Sequence, residues 1–200
     1  MLNEVILNGI IKDIEYSHTI DGVDFNRAKL ICKRDDGRED NINLRFKSFS
    51  CQYKDGNEID LVGNIRSYSY VGDDDRNKVM VYVFTYFNHP EGDTEINNKV
   101  TVEGRICKMN PLRKTRSGKH NLHMILANNL MTGDGKRLNS YIPCIAWGKV
   151  ARSLSELSVN TKLKITGQLH SREHIKKYDD GTEEIRVAHE LSIDSYEVIE

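Results

Sequence analysis

Apolar and polar residues alternate with a period of two along most of the chain. Val5, Leu7 and Gly9 alternate with Ile6, Asn8 and Ile10, and Val100, Val102 and Gly104 with polar neighbours. Val79, Val81 and Val83 alternate with Met80, Tyr82 and Phe84. Runs of this kind, rich in Val, Ile, Tyr and Phe, predict strands. Turn signals separate them at Asp21-Gly22, Asp36-Gly37, Asp55-Gly56, Gly72-Asp73, Gly133-Asp134-Gly135 and Asp180-Gly181. One helix is predicted after Gly148, where Val150, Ala151, Leu154 and Leu157 fall on one helical face.

The strand pattern occurs twice. NEVILNGII (3–11) returns as NKVTVEGRI (98–106), GNIRS (63–67) as GQLHS (167–171), and INLRF (42–46) as PCIAW (143–147). We read the last pair as third strands aligned at an offset of 101. Two homologous units follow, 1–92 and 96–200, joined by HPEGDTEIN (89–97), whose Pro, Gly and acids suit an exposed linker. Each unit has about five strands. In the second, the helix follows the third strand; in the first, it is short or missing. The expected fold is all-β: two tandem five-stranded OB-fold barrels, with a short helix after the third strand of the second. Gly9 and Gly104 suit the sharp bend of a small closed barrel.

Charge divides along the same line. Residues 1–95 hold 12 Lys and Arg against 18 Asp and Glu; residues 96–200 hold 17 against 12. The basic second unit is the one expected to meet a polyanion. No apolar run approaches the roughly 18–20 residues of a membrane span, so no membrane partner is expected. The first residues carry neither a basic flank nor a small-residue cleavage site, and the four cysteines form no CxxC pair. A reducing cytoplasm is expected. Cys32, Cys107 and Cys144 read as small buried hydrophobes.

Candidate chemistry concentrates in the second unit. KMNPLRKTRSGK (108–119) holds Lys108, Arg113, Lys114, Arg116 and Lys119 and no acid. Pro111 and Gly118 mark it as a mobile loop. Such a loop suits phosphate contact, and its alternative role is solvation alone. Trp147, the single Trp, fits either an outward stacking ring or a core ring. Tyr141, six residues earlier, shares its face if the strand is regular, while Pro143 between them favours a bulge. Arg172, Lys176 and Lys177 surround His174 and continue the basic track. In the first unit Arg66, Tyr68 and Tyr70 share one face, as a stacking strip or a barrel interior. Tyr82, Phe84 and Tyr86 read as core or dimer contact. Enzyme readings fail: His170 and His174 stand four apart on a strand without a carboxylate partner, His120 and His123, three apart, fall on opposite strand faces, Asp73–Asp75 suits a solvated turn, and no Gly-Lys pair has phosphate-loop spacing. No catalytic residue, metal or cofactor is expected.

The order and spacing of NKVTVEGRI, NPLRKTRSGKHN, HMILA, YIPCIAWGKVARSL and GQLHSREH before a DDG turn resemble the bacterial single-stranded DNA-binding protein family over about residues 98–199. The first unit looks like a more divergent copy. The resemblance implies bases stacked on aromatics of the barrel's exposed face. The corresponding positions are Tyr141, Trp147 and His174, with Phe46 and Tyr70 in the first unit. It also implies a homodimer with four barrels in total. Family members often end in an acidic tail; this sequence ends at DSYEVIE, so tail-mediated recruitment is not expected.

The expected function is sequence-tolerant binding and protection of single-stranded DNA in replication, recombination or DNA transfer. Most contacts are expected from the second unit, with replication proteins as further partners. The rival is an OB-fold adaptor with weak nucleic-acid affinity, motivated by the acidic first unit. Stacking alone does not separate DNA from RNA.

Overall fold

The structure is a computed structural model that describes residues 1–72, 75, 77–88, 98–131, 135–178 and 181–199, without the side chains of residues 77, 88, 174, 176, 184 and 186. The expected linker 89–97 lies outside the described residues, as do Asp73, Asp74, Gly133, Asp134 and Asp180.

Five long strands build the first barrel: β1 (Asn3–Ile20), β2 (Val23–Lys33), β3 (Glu39–Lys47), β4 (Glu58–Val71) and β5 (Asn77–Asn88). β1 pairs with β2, β2 with β3, β3 in parallel with β5, β5 with β4, and β4 with β1 again. The ring is closed, so neither edge is left open. The second barrel repeats this order with β6 (Lys99–Met109), β8 (His120–Met131), β9 (Arg137–Trp147), β11 (Glu183–Val198) and β10 (Lys162–Lys177). A two-residue strand, β7 (Arg113–Lys114), is added to β8. The helix α1 (Gly148–Leu154) follows the third long strand, with Ala151 and Leu154 buried. In the first barrel only a 3-10 turn, Ser48–Ser50, stands there.

Alternation fills each barrel. Val5, Leu7, Ile11, Leu30, Ile42, Leu44, Phe46, Leu61 and Ile65 are buried in the first; Val100, Val102, Ile106, Leu126, Ile142, Leu163 and Ile165 in the second. Each such side chain contributes roughly 1.5–3 kcal/mol by leaving water. The first strand of each barrel passes from one partner to the other at a glycine. A Cβ on Gly9 would lie 2.5 Å from the Ile31 carbonyl oxygen, and one on Gly104 would lie 2.6 Å from that of Ala127. The barrels meet where β1 runs antiparallel to β6, from Asn3 opposite Val102 to Ile6 opposite Lys99.

Several expectations are corrected. Leu44 pairs with Val83 as Cys144 pairs with Leu191, so the third strands align at an offset of 100, not 101. A one-residue slip turns every side chain to the other face. Phe46 therefore matches buried Ala146, is itself fully buried, and is no stacking position. Lys47 stands where Trp147 stands. Cys107 is exposed, because it falls in the register shift between Ile106 and Lys108. Pro143 imposes no bulge: β8 and β9 stay in register from Met131/Arg137 to Asn121/Trp147. Tyr82, Phe84 and Tyr86 alternate with the inward Val81, Val83 and Thr85 and so lie outside the barrel interior; Phe84 is nonetheless buried, under the Arg66 guanidinium, while Tyr82 is half-buried and Tyr86 exposed.

Candidate nucleic-acid interface

In β9 the inward residues are Ser140, Ile142, Cys144 and Ala146. Tyr141, Pro143, Ile145 and Trp147 therefore share the outward face. Tyr141 is 47% exposed, Trp147 is half-buried, and Lys119 Nζ lies 5.2 Å from the Trp147 ring centre. Segment 113–119 is a tight hairpin rather than an open loop. Arg113 and Lys114 pair with Asn121 and His120, and Thr115 N–H donates to the Lys119 carbonyl at 2.8 Å. Gly118, with φ of 83°, takes the left-handed position. Asn121 also pairs with Trp147, so the hairpin springs from the strand beside that ring. Arg113, Lys114, Arg116 and Lys119 are exposed, and none forms an ion pair among the described residues.

An open groove of about 650 Å³ brings Lys119, Trp147 and Arg172 together with Arg34 and Arg38 of the first barrel. Sequence reasoning missed these two arginines, because only the folded junction brings the β2–β3 hairpin here. Neither is free: Arg38 is held 2.5 Å from Asp36, and Arg34 is paired with Asp40. Glu39, Glu173 and Glu190 line the same groove, so its field is mixed. His174 and Lys176 lie in β10, but their side chains are outside those described.

The first barrel carries rings and cations on its outer face. Arg66, Tyr68 and Tyr70 share one face of β4, as expected, and both tyrosines are 38% exposed. Tyr68 touches Tyr70 and Tyr82, each with ring centres 5.9 Å apart. Arg45 lies 5.4 Å from Tyr68 and 5.7 Å from Tyr82, and donates to the Tyr68 hydroxyl at 3.0 Å. Period-2 reading of INLRF, with Leu44 and Phe46 inward, would have found Arg45. Arg66 is less available than its spacing suggests. Its guanidinium sits 4.0 Å from the Phe84 ring, its Nε is buried without a hydrogen-bond partner among the described residues, and burial lowers its pKa. Tyr68, Met80, Tyr82 and Arg45 border a pocket of about 320 Å³ shared with Arg27, Lys29, Asp13 and Glu15. Three cations against two acids make this pocket less acidic than its unit.

At the junction, fully buried Asp40 joins the barrels. It accepts from Arg34 Nε at 2.7 Å and Ser171 N–H at 2.6 Å, and lies 2.9 Å from His170 Nδ1. Burial pushes the carboxyl's pKa up, but bonds from His170, Arg34 and Ser171 outweigh it and hold the pKa well below the usual range. His170, expected to lack a carboxylate partner, therefore has one in Asp40, supplied by the other barrel, and it serves as a structural contact. Among the described residues no three His, Cys, Asp or Glu gather as a metal site. Among them, too, no helix is long and apolar enough to cross a membrane.

Known proteins point the same way. The family model of the single-strand binding protein family matches residues 97–199. No curated protein sequence matches. Among solved structures, the wild-type single-stranded DNA-binding protein from Thermus aquaticus superposes with a TM-score of 0.72 at 19% identity, covering 100% of this chain and 93% of that one. A deletion mutant of the same protein gives 0.72 and 19%, with 99% and 94% covered. At that identity the likeness shows the fold: two tandem OB-fold barrels. With its family model matched over more than half of its residues, the chain belongs to the single-strand binding protein family and is a single-stranded-DNA-binding protein rather than an enzyme.

Proposed function

We propose that the chain coats single-stranded DNA without sequence preference, protecting it in the cytoplasm during replication, recombination or DNA transfer. The observation that carries this is the pairing of Trp147 with Lys119 on an outward strand face, beside a hairpin whose cations form no ion pair among the described residues. Bases stack on rings whatever their identity, at about 1–3 kcal/mol each, while cations follow the phosphates. In this reading Arg113, Lys114, Arg116 and Lys119 hold phosphates, Tyr141 and Trp147 stack bases, and Arg172, His174 and Lys176 extend the track. Tyr68 and Tyr70 add a second strip, with Arg66 bracing it from beneath. The contacts divide between units 1–92 and 96–200. Titration with single-stranded and duplex oligonucleotides tests the reading. Preferential binding of single strands supports it, and equal or absent binding overturns it.

We also infer that two copies associate. The outer face of the joined sheet carries Glu4, Glu58 and Asp60 on the first-barrel side and Lys99, Arg105 and Lys164 around Glu103 on the second, which is basic on balance. A second copy, turned about an axis along the β1–β6 junction, would set acids against bases. Sedimentation at twice the 23.0 kDa chain mass supports this, and a monomer at all concentrations overturns it.

A further inference from the structure

Phe49 is the most exposed large hydrophobic among the described residues, at 77%. It is not a loose side chain. It sits in the 3-10 turn that replaces the helix of the second barrel, and the turn is braced on both sides. Ser48 Oγ donates to Asn26 Oδ1 at 2.9 Å, and Ser50 Oγ donates to the Lys47 carbonyl at 2.7 Å. A single exposed ring is ordinary on a protein surface; what sets Phe49 apart is that it stands with a second exposed ring around one cation.

Its surroundings indicate a ligand. Lys47 Nζ lies 5.7 Å from the Phe49 ring centre and 5.8 Å from that of Tyr86, itself 48% exposed. Tyr86 meets Phe84 at 5.3 Å, and so joins the ring-and-cation face already described. Lys47 occupies the strand position of Trp147. The second barrel places a ring there and brings a lysine over it; the first places a lysine there and sets two rings around it. We infer that Phe49, Lys47 and Tyr86 form a further single-strand site, with bases on the two rings and a phosphate on the lysine. An apolar partner surface would find a cation at the centre of the patch; a polyanion with stackable faces fits both parts. This inference rests on the proposed function. It makes the acidic barrel a binding unit at a place that sequence reading passed over.

The test compares the full chain with its Phe49→Ala/Tyr86→Ala variant on two oligothymidylates. One of about 10 nucleotides fits a single barrel, and one of about 40 spans both. We expect roughly tenfold weaker binding of the long strand, and less than a twofold change on the short one, where Trp147 competes unaltered. A second variant, Phe49→Trp with Trp147→Phe, reports on the site directly: the long strand should quench its fluorescence. Unchanged long-strand affinity with no quenching overturns the site while wild-type binding stands. A variant that shifts from dimer to monomer with affinity intact also overturns it and assigns the patch to a second copy. A wild-type chain that binds no single strand overturns the proposed function itself, and this site with it.

Discussion

Asn3 and Asn98, 95 residues apart, make the same pair of hydrogen bonds in the two barrels. Asn3 Nδ2 donates to the Ile65 carbonyl at 2.8 Å, and its Oδ1 accepts from Ile65 N–H at 2.9 Å. Asn98 Nδ2 donates to the Leu169 carbonyl at 2.5 Å, and its Oδ1 accepts from Leu169 N–H at 2.8 Å. Each side chain thus stands in for a strand neighbour that β4 or β10 lacks at that point. Asn3 also donates to Asn128 Oδ1 at 2.9 Å, tying the first barrel to the second. Substituting Asn3→Leu strands buried groups and should cost about 2–4 kcal/mol of unfolding free energy. Asn98→Leu, at a less buried position, should cost less. Urea unfolding of both variants checks the order.

Asp40 should be the most costly polar residue to change at the junction. Asp40→Asn removes the anion that Arg34 and His170 surround, and breaking a buried pair in this way costs about 3–5 kcal/mol. Because the folded-state pKa is depressed, the stabilisation is present above the ordinary carboxylate pKa and is lost only as pH falls through the folded value. The loss in Asp40→Asn should therefore be flat between about pH 5 and 8. A penalty under about 1 kcal/mol would show that the ion cluster carries little of the junction.

His189 should make stability fall on the acid side. Burial lowers its pKa from 6.5, while its bond to the Asn41 carbonyl opposes that shift. Below 6.5 the unfolded chain takes a proton that the folded chain refuses, so stability declines as pH drops toward the folded value. His189→Gln keeps a donor for Asn41 and should flatten the decline between about pH 7 and 5. An unchanged slope in urea titrations would assign the decline to other groups.

The hairpin cations should act through phosphates. Replacing Arg113, Lys114 and Arg116 by Ala should weaken binding on every sequence and reduce the slope of log affinity against log salt by about 2. Binding isotherms at three or more salt concentrations measure both quantities. An unchanged slope would return the hairpin to a purely solvating role.

Much of this was legible in the chain. The alternation of Val5, Leu7 and Gly9, repeated at Val100, Val102 and Gly104, gave both barrels, because period two and a close-approach glycine are local properties. That Tyr141 and Trp147 share a face followed from counting along one strand; which way that face turns did not, because the neighbouring Cys144 and Ile145 are both apolar. The failures have physical causes. INLRF was aligned with PCIAW on its terminal aromatic rather than on its alternation, and that slip exchanged buried Phe46 for outward Lys47. Cys107 was misjudged because a bulge shifts the phase without marking the composition. Arg34 and Asp40 were passed over because Ser171 and His170 lie about 130 residues away and meet them only when the barrels join, and Arg38 reaches the groove only through that junction. Phe49 stood in a short polar stretch with no periodicity to flag it.

The most direct measurement is a titration of fluorescein-labelled single strands of several lengths, beside the matching duplex and RNA, at low and moderate salt. Trp147, as the single Trp, reports locally when followed in parallel. The expected result is salt-sensitive binding that favours single-stranded DNA, with Trp147 quenched as bases stack on it. Binding without quenching would move the strand away from Trp147, and no binding at low salt would contradict the strand-coating function outright.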